Sequence, residues 1–329
     1  MSGLCLGVNA LQVKRRTISK KAVVTGGAGF IGSHLAELLA NRGYYVIILD
    51  DLSIGKMANV EPLLKKANVE FIQSSIIDLQ LLQQLFQGVD YIFHQAAIPS
   101  VPRSIENPEA SHNVNVTGTL NVLLAARDNN IRKVVYASSS SVYGDTPELP
   151  KTEDMATNPL SPYAVTKLAG EHYCRVFHQV YGLPTACLRY FNVYGPRQDP
   201  ESQYAAVIPK FITSVINGQG PIIFGDGEQS RDFTYIKDVI EANILAAESD
   251  VTGIFNIGNG KNITINQLAK LTINLLGNYS INSIHEGPRP GDIKDSLADI
   301  TRAKTFGYSP KYDLEKGLYE TVRSFTDES

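Results

Sequence analysis

The chain is organised around one stretch near its start, Lys21-Ala-Val-Val-Thr-Gly-Gly-Ala-Gly-Phe-Ile-Gly32. Its β-branched run predicts a strand, its glycine cluster a tight turn, and the apolar residues from Ile31 onward a helix. Gly26, Gly29 and Gly32 recur at intervals that suit a tight turn, close backbone approach to a pyrophosphate, and packing of helix on strand. The N-terminus of such a helix attracts phosphate. The stretch therefore predicts a dinucleotide-binding unit.

Asp50 closes the next predicted strand, residues 46–49. An acid at this place can accept hydrogen bonds from the adenosine ribose hydroxyls, and its charge repels a 2′-phosphate. The sequence therefore predicts NAD rather than NADP as the cofactor. The alternative for Asp50 is an ordinary solvated acid in a loop.

The composition is typical of a globular enzyme. The 329 residues carry a net charge of −3, so no surface for nucleic acid is indicated. No apolar run reaches the roughly 20 residues that a membrane-spanning helix needs. The three cysteines are far apart in the sequence, so we expect free thiols, no metal centre and a reducing, cytoplasmic location. Residues 1–20, weakly apolar and then basic, predict a short N-terminal extension.

The pattern up to residue 192 predicts an α/β fold. Short apolar strands alternate with amphipathic helices, which indicates a Rossmann-type, doubly wound parallel sheet covered on both faces. The later predicted strands are 69–72, 91–93, 134–136 and 185–188, and the helices among them are 60–66, 79–86, 117–129 and 161–181. Residues 21–192 are therefore the expected NAD-binding domain.

After residue 192, prolines and glycines break the alternation. Short strands are predicted at 222–224 and 254–257, and helices at 206–217, 236–247, 265–276 and 314–325. We expect residues 193–329 to form mainly a smaller mixed domain that binds the substrate over the cofactor. The chain is expected to cross between the two domains.

The strongest chemical signal is Tyr163-Ala-Val-Thr-Lys167. On a helix, residues four apart share a face, so the phenol and the ammonium can reach one site. Lowering a tyrosine pKa from about 10 to about 7 takes roughly 4 kcal/mol, which the lysine, an oxidised nicotinamide and desolvation are expected to supply together. A hydroxyl of the preceding run, Ser138-Ser-Ser-Ser141, can share the reacting oxygen with Tyr163. Without that run, an ordinary surface Tyr–Lys pair would be the better interpretation.

Further motifs accompany these features from residue 21 onward. They are Thr25-Gly-Gly-Ala-Gly-Phe-Ile-Gly32, His94-Gln-Ala-Ala97, Asn115-Val-Thr-Gly-Thr119, Ser138-Ser-Ser-Ser-Val-Tyr-Gly144, Leu188-Arg-Tyr-Phe-Asn-Val-Tyr-Gly-Pro196, Gly225-Asp-Gly227 and Ser230-Arg-Asp-Phe-Thr-Tyr235. Together they resemble the extended short-chain dehydrogenases/reductases of the nucleotide-sugar epimerase/dehydratase family. Within that family the chain is most similar to UDP-N-acetylglucosamine 4-epimerases and UDP-glucose 4-epimerases. The resemblance implies bound NAD and a UDP-sugar substrate.

The resemblance also implies roles for individual residues. The implied catalytic residues are Ser139, Tyr163 and Lys167, with no metal. The implied cofactor-binding residues are Gly26, Gly29, Phe30, Ile31, Gly32, Asp50, Lys56, Ile77, Asp78, Gln95, Asn115, Tyr163, Lys167 and Val193. The implied substrate-binding residues are Ser100, Ser139, Ser140, Tyr163, Asn192, Val207, Arg231, Arg289 and Asp292.

Two arginines and one histidine have competing interpretations. A guanidinium suits the two negative charges of a nucleoside diphosphate, but Arg231 could instead pair with Asp232. Arg289 lies in Gly287-Pro-Arg-Pro-Gly291, which could simply form a turn. His94 is either a packed histidine or a proton carrier, and packing is the more common case.

The residues after Ser139 separate the reactions of this family. Dehydratases resemble one another in an Asp-Glu pair that eliminates water, whereas this chain has Ser140 and Ser141. The glutamate usual in uronic-acid decarboxylases is also absent. The remaining reaction, which we therefore expect, is epimerisation of a UDP-hexose at C4. It would pass through a 4-keto sugar, and NAD would be regenerated in every turnover. Two alternatives stay open: a 4-epimerase of UDP-glucuronic or another UDP-uronic acid, and a non-catalytic NAD-binding module.

The segment around Pro290 bears on the choice of sugar. Epimerases restricted to UDP-glucose and UDP-galactose resemble one another in a bulky tyrosine near this position, whereas proline leaves room for a 2-acetamido group. Segments 100–104 and 197–200 also resemble those of epimerases that handle N-acetylated sugars. We therefore expect UDP-GlcNAc and UDP-GalNAc as substrates, with UDP-glucose and UDP-galactose weaker or comparable.

The predicted helices 117–129 and 161–181 bear on assembly. Both carry more apolar surface than one sheet face needs, and family members resemble this chain in pairing two such helices from each subunit. A homodimer is therefore expected. No nucleic-acid or membrane partner is expected.

Overall fold

The computed structural model describes residues 20–200, 206–288 and 293–327. Its strands are β1 (Lys21–Thr25), β2 (Tyr45–Asp50), β3 (Val69–Gln73), β4 (Tyr91–His94), β5 (Lys133–Ser139), β6 (Thr185–Tyr190), β7 (Val193–Tyr194), β8 (Ile222–Phe224), β9 (Ser230–Arg231), β10 (Thr234–Tyr235), β11 (Gly253–Ile257), β12 (Ile263–Thr264) and β13 (Ile284–Glu286). Its helices are α1 (Phe30–Asn41), α2 (Leu79–Leu85), α3 (Val101–Glu106), α4 (Pro108–His112), α5 (Gly118–Asp128), α6 (Pro162–Tyr181), α7 (Val207–Ile216), α8 (Ile236–Glu248), α9 (Ile265–Leu275), α10 (Thr301–Lys304) and α11 (Leu314–Asp327). In these ranges no helix is both long enough and apolar enough to cross a membrane.

Seven of the described strands form one parallel sheet, in the order β3-β2-β1-β4-β5-β6-β11. Successive residues of β1 serve opposite faces of this sheet. Val24 packs in the apolar cluster that contains α1 and α8, whereas Val23 packs in the cluster that contains α2, α5 and α6. Both side chains are fully buried, as expected for a sheet covered on both faces. The predicted Rossmann-type, doubly wound α/β fold is confirmed.

Strand order reverses between β1 and β4. The chain first builds outward from β1 to β3 and then returns to add β4 on the other side of β1. The crossover helices therefore diverge onto opposite faces and leave a crevice at the carboxyl ends of the strands. Thr25, Asp50 and His94 stand at those ends.

The chain beyond β6 forms small elements and also returns to the large sheet. Strands β7 and β10, β9 and β12, and β8 and β13 pair in separate two-stranded sheets, and α7, α9 and α11 contact one another. Helix α8 packs against α1, β5 and β6, and β11 pairs with β6. The strand predicted at 254–257 thus completes the large sheet, although it lies beyond the predicted boundary at residue 193.

The helix predicted over residues 60–66 is wrong. The structure has two 3₁₀ turns there, Met57–Asn59 and Leu63–Lys65. Pro62 has no N–H to donate, and the backbone instead forms short-range bonds such as Leu63 N–H to Val60 O at 2.8 Å.

The segment between β4 and α5 holds helical structure that the sequence pattern did not predict. The short helices α3 and α4 each begin with a side-chain cap, from Ser100 and Asn107. A π-helical turn, Asn113–Thr117, then leads into α5, although the sequence predicted a helix from residue 117. Turns of this kind are frequent at functional sites.

His94 links three elements of the fold. Its ring nitrogens hydrogen-bond to the hydroxyls of Thr25 in β1, at 2.8 Å, and Thr119 in α5, at 2.9 Å. Burial, with a smaller contribution from the charge of Lys167, lowers the pKa of His94 from 6.5 to about 3. The ring is therefore neutral at ordinary pH and packed between two hydroxyls, which favours the structural interpretation over a proton carrier.

His94 should make the protein sensitive to mild acid. In the unfolded chain His94 is protonated below its ordinary pKa of 6.5, whereas in the folded protein it stays neutral down to about pH 3. The free energy of unfolding should therefore fall with decreasing pH, by up to roughly 1.4 kcal/mol per pH unit. His94→Gln should be less stable than the wild type at neutral pH but lose stability less steeply on acidification. Urea unfolding as a function of pH measures this.

The matched control is His285→Gln, because His285 is exposed. It should show the same pH slope of unfolding as the wild type. Equal slopes for the wild type and His94→Gln would contradict this account of His94.

Candidate active site

Two cavities lie near the carboxyl ends of the strands. The first, which we call the switch-point cavity, has a volume of about 280 Å³ and lies where the strand order reverses. Of the residues predicted from the sequence to bind cofactor, those on its wall are Gly26, Gly29, Phe30, Ile31, Gly32, Asp50, Gln95, Tyr163 and Lys167. The structure thus brings most of the predicted cofactor residues together.

Two glycines of the turn stand where no side chain fits, because neighbouring backbone lies too close. Gly26 has φ of +68°, and a Cβ added there would lie 2.6 Å from the Ala96 nitrogen. A Cβ on Gly32 would lie 2.1 Å from the carbonyl oxygen of Gly26. Helix α1 begins at Phe30 without a side-chain cap, which leaves N–H groups of its first turn for an anion. These observations fit a dinucleotide pyrophosphate.

Asp50 is held at the edge of the switch-point cavity. Its two carboxylate oxygens accept hydrogen bonds from the backbone N–H groups of Ala28, at 2.9 Å, and Leu52, at 2.8 Å. Burial raises the pKa of Asp50, and these two bonds partly offset that effect. The carboxylate is therefore fixed in direction, and each oxygen keeps a further lone pair for a ribose hydroxyl.

Several predicted cofactor residues lie off the wall of this cavity. Ser74, Ser75 and Ile76 line it where Ile77 and Asp78 were expected. The Asp78 side chain is exposed and caps α2 by accepting from Leu81 N at 3.0 Å.

Lys56 and Val193 are also placed elsewhere. The Lys56 ammonium lies 3.0 Å from the carboxylate of Asp199. Val193 lines the second cavity rather than the first.

Asn115 is buried within the π-helical turn and does not line the switch-point cavity. Its side-chain oxygen accepts from Ile98 N at 2.7 Å, and its amide donates to Ile98 O and to the Thr166 hydroxyl. Asn115 therefore ties the loop after β4 to α6, beside Lys167.

Helix α6 presents Tyr163 and Lys167 on its inward face, as predicted. Lys167 is buried, its Nζ donates to the carbonyl oxygen of Ala137 at 2.8 Å, and it lies 5.8 Å from the centre of the Tyr163 ring. Burial lowers the pKa of Lys167 to about 8. The Tyr163 backbone N–H donates to the Ser104 hydroxyl at 3.0 Å, which fixes the start of the helix.

The structure corrects one part of the pKa argument. Desolvation was expected to help lower the pKa of Tyr163, but burial raises it, because a phenolate is less well solvated inside the protein. A hydrogen bond with the Ser139 side chain acts in the opposite direction and favours the phenolate. Positive charge and hydrogen bonding must therefore overcome desolvation.

The second cavity, which we call the outer cavity, also has a volume of about 280 Å³. Asn192, Val207 and Arg231, all predicted substrate residues, lie on its wall. The Arg231 guanidinium donates through Nη1 to the carbonyl oxygens of Ser230, at 2.8 Å, and Lys294, at 3.2 Å. The remaining wall is mostly apolar.

Among the other predicted substrate residues, Tyr163 lines the switch-point cavity, whereas Ser100, Ser139 and Ser140 line neither cavity. Ser100 is half-buried, has φ of +96° and caps α3. Ser139 ends β5, Ser140 begins the 3₁₀ turn that follows, and both are half-buried. Arg289, Pro290 and Asp292 lie outside the described residues.

A polar group outside the predicted site residues lies beside Gln95. The Tyr190 hydroxyl donates to Asn243 Oδ1 at 2.9 Å, and the Gln95 amide donates to both partners at 3.1 Å. Tyr190 lines the switch-point cavity. The position of Tyr190 at the carboxyl end of β6 could have indicated a site residue. Nothing in the sequence indicated Asn243, which lies within the buried helix α8.

Comparisons with known proteins identify the family of the chain. The model of the "NAD dependent epimerase/dehydratase family" matches residues 22–258. A putative UDP-glucose 4-epimerase of Methanocaldococcus jannaschii is 42% identical over 302 residues, which are 91% of this chain and 96% of that protein.

Two solved structures have the same fold and named ligands. UDP-N-acetylglucosamine 4-epimerase of Methanobrevibacter ruminantium M1, in complex with UDP-N-acetylmuramic acid, has a TM-score of 0.91 and 45% identity, covering 94% of this chain and 99% of that one. UDP-glucuronic acid 4-epimerase of Bacillus cereus, in complex with UDP-glucuronic acid and NAD, has a TM-score of 0.87 and 36% identity, covering 94% and 100%. The chain therefore belongs to the NAD-dependent epimerase/dehydratase family, and NAD is its cofactor, as the sequence predicted.

Proposed function

We propose that this protein is a UDP-sugar 4-epimerase that interconverts the two C4 epimers of a UDP-hexose. The observation that carries the proposal is the meeting of Ser139, Tyr163 and Lys167 beside the switch-point cavity. A base, a cation and a hydroxyl at one place suit proton removal from a secondary alcohol. The relatives named above as 4-epimerases support the same activity.

In this proposal Tyr163, as phenolate, takes the proton of the sugar 4-hydroxyl. Lys167 stabilises the phenolate through its positive charge, and the Ser139 hydroxyl hydrogen-bonds the reacting oxygen. Bound NAD supplies the hydride acceptor and donor at C4. Ser140 and Ser141 have no group that titrates near neutrality, so the chain lacks at those positions an acid–base pair for eliminating water.

The two cavities suit the two ligands of such a reaction. We assign the glycine turn with Phe30 and Ile31 to the cofactor pyrophosphate, and Asp50 to the adenosine ribose. Arg231 and Asn192, on the wall of the outer cavity, suit the nucleoside diphosphate of the substrate. We propose residues 21–192 as the cofactor domain and 193–329 as mainly the substrate domain, although α8 and β11 of the second range pack on the large sheet of the first.

For the sugar, we propose UDP-GlcNAc and UDP-GalNAc, with UDP-glucose and UDP-galactose as weaker or comparable substrates. Pro290 supports this choice, because the family resemblance matches its position to a bulky tyrosine in epimerases restricted to UDP-glucose and UDP-galactose. The similarity to a UDP-N-acetylglucosamine 4-epimerase supports it as well. The second candidate is a UDP-uronic acid 4-epimerase, favoured by the similarity to the UDP-glucuronic acid enzyme.

Purified protein without added NAD should convert one C4 epimer into the other, with products identified by NMR for each UDP-sugar. Tyr163→Phe should lower the rate by more than about 100-fold, because the phenol oxygen is the base. Tyr279→Phe is the matched control, since Tyr279 is 77% exposed, and it should keep the wild-type rate. Wild-type protein that binds NAD but converts no sugar would favour the non-catalytic module.

The same panel tests the choice of sugar. UDP-GlcNAc should be converted by the wild type, and Pro290→Tyr should slow the N-acetylated pair while sparing UDP-glucose. Conversion of UDP-glucuronic acid alone would contradict the proposed substrate in favour of the second candidate.

We also propose a homodimer built on the outward face of α6. Val165, Val176 and Val180 are between 42% and 66% exposed there, whereas Tyr163 and Lys167 occupy the inward face. A row of exposed valines on one helix suits burial against the same face of a second copy.

Val176→Glu should convert the dimer into a monomer, because it would place a carboxylate in an apolar interface. The control is Tyr319→Glu, at an exposed aromatic residue on α11, which should stay dimeric. Light scattering measures both. A monomeric wild type at micromolar concentration would contradict the proposal.

A further inference from the structure

Helix α6 meets the carboxyl end of β5 along a row of polar contacts. Three consecutive strand residues each meet a helix residue, and the three helix residues are four positions apart and share one face. The pairs are Ser139 with Tyr163, Ala137 with Lys167, and Ser138 with Glu171. The first two pairs contain the proposed catalytic residues, and the third has no role in the proposed function.

The third pair is anchored by a buried ion pair. Glu171 and Arg189 are 1% and 2% exposed, and the Arg189 guanidinium donates to both Glu171 oxygens, at 2.8 and 2.7 Å. The Ser138 hydroxyl donates to the same carboxylate at 2.5 Å. Arg189 is the register partner of Ser138 across β5 and β6, and its guanidinium also lies 4.6 Å from the centre of the Tyr143 ring.

Such a pair is a costly way to hold a helix against a sheet. Desolvating two charges offsets most of their attraction, and apolar residues of the same volume often stabilise a fold as well. Unlike an apolar contact, a bidentate guanidinium–carboxylate pair fixes the orientation of both side chains. Here that geometry fixes Ser138, the immediate neighbour of Ser139.

We propose that Glu171, held by Arg189, is a positioning residue that clamps Ser138 and thereby sets the Ser139 hydroxyl against Tyr163. The proposal rests on the proposed function for its effect on turnover, but the geometry it describes belongs to the protein itself. Small displacements of a catalytic hydroxyl reduce rates strongly, so a rigid neighbour is valuable.

The test is Ser138→Ala in the NAD-loaded protein, since it removes the clamp but leaves the ion pair intact. The matched control is Ser111→Ala, at a buried serine whose hydroxyl has no hydrogen-bond partner in the described structure. The first readout is the pKa of Tyr163, obtained as the difference in tyrosinate absorbance between each protein and the same protein carrying Tyr163→Phe. Ser138→Ala should raise that pKa by roughly one unit, whereas Ser111→Ala should leave it unchanged.

The second readout is turnover. Ser138→Ala should lower kcat about tenfold with KM nearly unchanged, and it should move the acidic limb of the pH–rate profile upward. A merely structural role would lower the melting temperature and leave the Tyr163 pKa and the pH profile unmoved, and that result would overturn the proposal.

The two proposals fail in different ways. If the wild type converts no UDP-sugar but Ser138→Ala still raises the Tyr163 pKa, the proposed function is wrong and the positioning role stands. If the wild type is an epimerase and Ser138→Ala titrates like the wild type, the positioning role is wrong and the function stands.

Discussion

The reversal of strand order between β1 and β4 is the constraint on which the rest of the molecule depends. Because α1 and α5 pack on opposite faces of the sheet, they diverge at the strand ends and leave a crevice between them. The glycine turn after β1 and the polar residues after β4 therefore face one crevice. The first-turn amides of α1 and the carboxylate of Asp50 stand at the same edge, which accounts for the position of the switch-point cavity.

Around this crevice the protein buries charged side chains, which an ordinary apolar core excludes. Lys167, Glu171 and Arg189 are all nearly inaccessible to solvent, and each has a defined hydrogen-bond partner. The buried ammonium of Lys167 donates to the carbonyl oxygen of Ala137 but has lost much of its hydration, which explains its lowered pKa. The same loss of water raises the pKa of Tyr163. The proposed phenolate therefore depends on local charge and on correctly placed hydroxyls.

Features encoded by short-range spacing were predictable from the sequence. The interval between Gly26, Gly29 and Gly32 defines the turn, and the four-residue spacing of Tyr163 and Lys167 defines one helix face. Both follow from backbone geometry alone, and so does the alternation of strands and helices that indicated the fold.

Features that depend on long-range packing were not predictable. The pairing of Glu171 with Arg189, and of Tyr190 with Asn243, becomes visible only when β6, α6 and α8 are assembled. Asp78 was expected at the cofactor because of the family resemblance, yet its exposed side chain caps α2. The error at Tyr163 is of another kind: desolvation raises the pKa of any phenol, and only the size of that effect depends on the surroundings.

The central claim is that the hydrogen removed from C4 of the sugar is held by the protein and returned to the same carbon. It is tested most directly with a UDP-sugar carrying deuterium at C4, incubated with the purified protein in ordinary water until both epimers are present. The account predicts that NMR finds the deuterium at C4 of both epimers. Replacement of the label by solvent hydrogen in the newly formed epimer would contradict it.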